Sequence, residues 1–228
     1  MSRHISEQYD LELGAIRERL MEMATLVEQQ VNNAGTAYIN HDLPLAMLVR
    51  ETEARLNHME VEIDDQCIGI IARRQPAASD LREVIAMMKM VTDFERIGDE
   101  ANRIANLAYE LADQEVPQDQ YSDIREIHTT VEQQLHAALD AFARKDIGQA
   151  EAVIAGDRAL DQMYRQLVDD TTVAMQSERE NIDHLMSKIW TARAYERIGD
   201  HAKNVCEYVI FQSRGYDVRH GNTSADQL

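Results

Sequence analysis

The sequence predicts an all-α chain folded as two tandem, pseudo-symmetric antiparallel three-helix bundles. Its composition favours helix almost throughout, being rich in Met, Ala, Leu, Glu, Gln and Arg with only three Pro and three Phe. Apolar residues recur at intervals of three and four, and there is no sustained period-two run or hairpin dipeptide between alternating segments. The string Glu95-Arg96-Ile97-Gly98-Asp99 returns as Glu196-Arg197-Ile198-Gly199-Asp200, 101 residues later in a chain of 228. A recurrence at that spacing marks a duplicated unit rather than a short solenoid repeat.

The first helix is predicted from near Ser6 to near Tyr38. Leu13, Ile16, Leu20, Met23, Val27, Val31, Ala34 and Tyr38 form one buried stripe along it. Asn40-His41-Asp42 reads as a turn, with Asp42 as N-cap and Pro44 tolerated in the first turn that follows. The second helix carries Leu45, Leu48, Thr52, Leu56, Met59, Ile63, Cys67 and Ile70, and stops at Gln75-Pro76 because proline disfavours helix at the residue before it. A third helix follows from about Ser79 to about Asp113. Gln114 to Asp119 loses the apolar period around Pro117 and reads as a linker. Three more helices are predicted over Tyr121 to Arg144, Asp146 to Ser177 and Asn181 to Arg214, with Asp146 and Asn181 as N-caps. Gly215 and Gly221 help to end the chain in a polar tail.

The halves correspond beyond the repeated string. His41-Asp42-Leu43 matches Lys145-Asp146-Ile147 and Leu56-Asn57-His58-Met59 matches Leu160-Asp161-Gln162-Met163, both at an offset of 104. Glu53 then aligns with Asp157. The offset falls to 101 by the repeated string, which predicts a loop between the second and third helices that differs by three residues. The resulting division is a first bundle in residues 1–116, a second in 117–216 and a tail in 217–228.

A formal charge of −18 argues against nucleic acid or an anionic membrane surface as a direct partner. The one dense basic pair, Arg73-Arg74, does little to change that. Two thiols, Cys67 and Cys206, each in a helical pattern, suit a reducing cytosol. The N-terminal stretch has no apolar signal-peptide core, and no apolar run approaches the roughly 18 residues that span a bilayer. The expectation is a soluble, cytoplasmic chain.

The repeated string carries the chemistry. On a helix, residues i and i+4 share a face, so Glu95 projects with Asp99 and Glu196 with Asp200. With Gly98 at the centre of the apolar arc, Phe94, Val91, Ala101 and Ala105 fall within about 60° of it, while Glu95 and Asp99 lie about 60° and 100° to one side. Tyr195, Ala192, Ala202 and Cys206 surround Gly199 in the same way, and Asn106 and Glu207 continue the polar edge. A mid-helix glycine costs about 1 kcal/mol relative to alanine, so two at matching sites point to close backbone approach of a neighbour. The second helix of each bundle is that neighbour, bringing Glu53 and Asn57 in one half and Asp157 and Asp161 in the other. Facing carboxylates are tolerated if protonated, paired with Arg or neutralised by a cation. Their oxygens suit hard cations such as Mg²⁺, Mn²⁺ or Ca²⁺, and extend to iron.

The competing reading is a solvated charged face, since Arg96 and Arg197 adjoin each Glu and Arg96 is placed to pair with Glu100 at i+4. No Glu in the chain has His three residues later, against a ferritin-like di-iron oxidase. His201 is a further metal candidate, although its counterpart is Glu100 and a lone helical His is more often packed or solvated. Trp190 lies opposite Gly199 on its helix and reads as a partner or dimer surface, or as the cover of a bundle end. Nothing resembles a nucleophile with its base, and no phosphate-binding or dinucleotide fingerprint is present. A metal-dependent enzyme or metal-storing bundle built on the acidic seams stays open as the alternative.

Two tandem three-helix bundles, each with Glu-Arg-Ile-Gly-Asp on the last helix and an acidic pair on the middle one, resemble the PhoU family of regulators of the bacterial phosphate-specific ABC transport system. The resemblance takes in Ala72-Arg73-Arg74-Gln75-Pro76, Ser79-Asp80-Leu81-Arg82 and Asp140-Ala141-Phe142-Ala143-Arg144, and is similar to the proteobacterial type in particular. It implies a cytoplasmic, homodimeric protein without catalytic turnover. Such a protein restrains the phosphate-starvation response by contacting the sensor histidine kinase and the transporter's ATPase subunit. Some relatives carry metal clusters on the acidic motifs. By that resemblance, candidate ligands for a divalent or transition-metal cation (Mg, Mn, Fe or Zn) are Glu95, Asp99, Glu196, Asp200, Asp157, Asp161 and Glu53. Asn57 and Asn106 depart from the acidic pattern, which makes the first bundle the poorer ligand set.

Overall fold

The structure is a computed structural model and describes residues 2–112, 117–177 and 181–215. It contains α1 (Ser2–Asn40), α2 (Leu43–Arg74), α3 (Ser79–Glu110), a 3-10 turn (Gln118–Tyr121), α4 (Ser122–Arg144), α5 (Ile147–Ser177) and α6 (Ile182–Arg214). No strand occurs among the described residues. The predicted end of the third helix at Asp113, the first half of the linker and the polar tail lie outside them.

The middle helices of the two halves open with the same turn chemistry. His41 takes a left-handed φ of 55°, and the Asp42 carboxylate then accepts from the Leu45 N–H at 3.0 Å, with Pro44 in the first turn. Lys145 likewise has φ 55°, and Asp146 accepts from the Gln149 N–H at 3.0 Å. Each side chain satisfies a donor that the helix start leaves without a partner. Asn181 stands before α6 but makes no capping hydrogen bond with its side chain. Gln75 closes α2 in a left-handed conformation, its N–H bonded to the Ile71 carbonyl, and Pro76 follows.

Helices α1, α2 and α3 pack together, as do α4, α5 and α6, and the bundles join through α3 against α6 and α1 against α4. The whole α1 stripe from Leu13 to Tyr38 is buried. On α2 the stripe differs from expectation: Leu48 is exposed, and Ala46 and Val49 take the inner face. The Gln30 side-chain amide donates to the Val49 carbonyl at 3.0 Å and ties that face to α1. One continuous core crosses both bundles. Within the α3–α6 contact, Arg197 reaches Glu100 at 2.6 Å and His201 reaches Asp93 at 2.6 Å, with the Asn204 amide donating to Asp93 at 3.0 Å. The three-residue difference between halves does not lie in the loop the sequence predicts. The second helix α2 is one residue longer than α5, and α3 starts 16 residues before Glu95 whereas α6 starts 14 before Glu196, so the helices themselves account for all of it.

Candidate functional site

The glycines of the repeated string set the distance between the last and middle helix of each bundle. A Cβ on Gly98 would stand 2.6 Å from Leu56 Cδ1, and one on Gly199 would collide with Leu160 Cδ2. The neighbour is the middle helix, as the sequence predicts, but what fills the space is a buried leucine side chain rather than closely approaching backbone. Each leucine is a knob seated on a glycine, and the register it fixes brings the polar edges of the two helices side by side.

In the first bundle this edge contains Glu53 and Glu60 from α2 and Glu95 and Asp99 from α3. The Asn102 amide donates to Glu53 across the helix pair. Burial raises the Glu95 carboxyl above its ordinary value, and the charges of Asp99, Glu60 and Glu53 push it further. Burial also raises Glu60, again helped by neighbouring Asp64 and Asp99. The charge that eases both comes from exposed Arg96. Desolvation is the larger cause of both shifts, and the neighbouring carboxylates add to it. Asn57 is exposed, and Asn106 lines a shallow groove with Glu53, Asn102 and Arg50.

The second bundle aligns Asp157 and Asp161 of α5 with Glu196 and Asp200 of α6, but cationic side chains enter the edge. Lys203 Nζ lies 2.6 Å from Asp157 Oδ2, and Gln134 of α4 donates to the same carboxylate at 3.4 Å. Arg193 holds Glu196 at 2.7 Å, and Arg165 lies 4.0 Å from Asp161. Burial raises Asp200, with Asp157 and Asp161 adding to it while Lys203 and His201 oppose it. Burial raises Glu196 too, Asp200 adding and Arg193 opposing. The Lys203 ammonium is raised chiefly by its hydrogen bond to Asp157.

The predicted residues therefore gather as two seams, one per bundle, and the two sets do not meet. Among the described residues no three His, Cys, Asp or Glu side chains converge as preset metal ligands. Arg96 does not pair with Glu100. That buried carboxylate takes Arg197 from the other bundle, with Arg103 at 3.4 Å. His201 is drawn into its pair with Asp93 and is committed to the bundle interface. Cys67 and Cys206 are free and buried, their thiols pushed up to about 12 by burial. Sequence reasoning missed Glu60, Arg193 and Lys203. Aligning the halves position by position would have shown Lys203 standing where the first half has Asn102.

Away from the seams, the exposed Trp190 ring sits in a groove with Met186, Leu107 and Leu111, rimmed by Glu110 and Asp183.

The description "PhoU domain" matches this chain twice, over residues 20–108 and 124–209. A phosphate-specific transport system accessory protein PhoU homolog of Pseudomonas putida is 44% identical over 220 residues, which covers 96% of this chain and 86% of that protein. The phosphate-specific transport system accessory protein PhoU of Escherichia coli K12 is 39% identical over 229 residues, covering 100% of this chain and 95% of that protein. The crystal structure of PhoU from Pseudomonas aeruginosa superposes with a TM-score of 0.89 at 42% identity, covering 91% of this chain and all 100% of that one. That of the phosphate transport system regulatory protein PhoU from Streptococcus pneumoniae superposes with a TM-score of 0.84 at 24% identity, covering 92% of this chain and 99% of that one, and bears on the fold alone.

Proposed function

The chain belongs to the PhoU family, and from that membership we propose that it is a non-catalytic adaptor that couples phosphate uptake to phosphate signalling. In this reading it works in the cytoplasm and holds down the phosphate-starvation response while phosphate is plentiful. Its partners are the sensor histidine kinase of the phosphate two-component system, the ATPase subunit of the phosphate ABC transporter, and a second copy of itself. The observation that carries the reading is the paired domain match together with relatives named as transport accessory proteins along nearly the whole length. No described helix is long and apolar enough to cross a membrane, so an accessory role reached through protein contacts fits the chain. The groove lined by Leu107, Leu111, Met186 and Trp190 together with Glu110 and Asp183 is a candidate protein contact surface.

Cation binding belongs to this reading as a secondary property. In the first seam Glu53, Glu60, Glu95 and Asp99 supply only oxygen donors, and the raised carboxyls there would be relieved by a divalent ion. Those residues fit such an ion in charge and donor type.

The test is co-purification. The tagged full chain is expected to retain both the kinase and the ATPase subunit from purified mixtures, and retention of neither overturns the adaptor reading. Light scattering on the same preparation is expected to give twice the chain mass.

A further inference from the structure

The two seams correspond position by position, which makes their differences informative. Glu53, Glu95 and Asp99 match Asp157, Glu196 and Asp200. At three matching positions the second half gains positive charge or loses negative charge: Thr92 against Arg193, Asn102 against Lys203, and Glu60 against Tyr164. Asn57 against Asp161 and Asn106 against Glu207 run the other way, so the second seam is richer in carboxylates but has an ammonium and a guanidinium set among them.

We propose that Lys203 and Arg193 are resident counter-cations, so that the second seam carries its positive charge in its own side chains and takes no divalent ion. The contacts are those of a closed arrangement. Lys203 reaches across from α6 to Asp157 on α5 at 2.6 Å, in the place where Asn102 reaches Glu53 in the first half. Arg193 binds Glu196 at 2.7 Å, and its guanidinium lies over the Tyr164 ring at 5.8 Å. The ring thus occupies the position of Glu60, so a neutral face that holds a cation stands where the first half has a carboxylate. A divalent ion entering here would meet an ammonium at contact distance, on a carboxylate already engaged. It would also have to displace Lys203 from a pair whose acid is buried, which is unfavourable for both partners. Arg197 does not take part, since it turns away to Glu100.

This assignment stands apart from whether the first seam takes a cation, and the experiment separates the two. The full chain, stripped with chelator, is titrated with Mn²⁺ by calorimetry, and melting temperatures are read with Mn²⁺ and with chelator. Glu196→Ala with Asp200→Ala is expected to leave the Mn²⁺ stoichiometry of the wild type unchanged. Arg193→Thr with Lys203→Asn, which transplants the first seam's residues, is expected to gain a further equivalent of Mn²⁺, lost again when Asp200→Asn is added. Its melting temperature is expected to become Mn²⁺-dependent to a degree the wild type is not. If that pair does not fold, Lys203→Gln alone is read in the same way. The proposal is overturned if the wild type loses Mn²⁺ on Glu196→Ala with Asp200→Ala, or if no Lys203 variant gains any. A wild type that binds no Mn²⁺ sinks the first-seam reading, and the gain on removing Lys203 still decides this one.

Discussion

Replacing Arg197 by Met should cost far more than replacing Arg96 by Met, although the two arginines hold the same place in the repeated string. Arg96 is exposed and forms no ion pair among the described residues, and its easing of Glu60 and Glu95 is screened by water, so its loss falls within about 0.5 kcal/mol of neutral. Arg197 neutralises Glu100, whose side chain is 3% exposed, at 2.6 Å across the bundle interface. Removing one partner of a buried pair costs about 3–5 kcal/mol, because the remaining charge stays without water or counterion. Two features place this case at the low end. The Arg197 side chain is itself 39% exposed, and Arg103 remains 3.4 Å from the other Glu100 oxygen. The expected loss is about 3 kcal/mol, which for a chain of this size lowers the melting temperature by about 6–12 °C. Urea unfolding followed by far-ultraviolet circular dichroism measures it, with Arg96→Met as the matched control. Adding Glu100→Met to Arg197→Met should recover most of the loss, since a well-packed apolar pair replaces a buried ion pair at little cost. Equal losses for Arg96→Met and Arg197→Met, or no recovery in the double variant, would refute the assignment of Arg197 to the bundle interface.

Alanine at Gly199 forces Leu160 out of its seat, and overpacking of about 1–3 kcal/mol outweighs the helix-propensity gain of about 1, so thermal melts should show a net loss that Leu160→Val relieves. Burial holds His128 below its ordinary 6.5, so as pH falls through that value the unfolded chain binds the proton first and stability declines. In urea titrations at several pH values, His128→Gln should flatten that slope. Glu95 is shifted the other way: its folded-state carboxyl lies above 4.5, so its contribution is favourable below that value and is lost as pH rises through the raised one. Glu95→Gln is therefore expected to stabilise the protein at neutral pH, with the gain fading in mild acid, and an unchanged or lower melting temperature at neutral pH would count against a crowded seam.

The fold was legible because its signals are local and repeated. The α1 stripe, the Asp42 and Asp146 caps and the Gln75-Pro76 stop each rest on one helix's own periodicity or turn chemistry, and all appear as expected. The glycine-to-middle-helix contact was legible too, since a costly residue at matching sites needs a packing reason. What escaped the sequence depends on which helix faces which. Glu100 looked like a partner for Arg96 at i+4, yet the α3–α6 contact offers it Arg197, and only the packing of the two bundles decides between them. His201 had the look of a metal ligand beside Asp200 until Asp93, from the other bundle, claimed its ring. Lys203 attracted no notice because a lysine on a long acidic helix reads as a solvated charge, whereas the α5–α6 contact seats it on buried Asp157.

The regulatory claim is tested most directly in cells. With the chromosomal copy of this chain's gene deleted, a reporter of the phosphate-starvation response is measured in phosphate-replete medium, with and without the chain supplied in trans. The adaptor account expects the reporter to be switched on in the deletion strain and silenced again when the chain is restored. A reporter that stays silent in the deletion strain would contradict it.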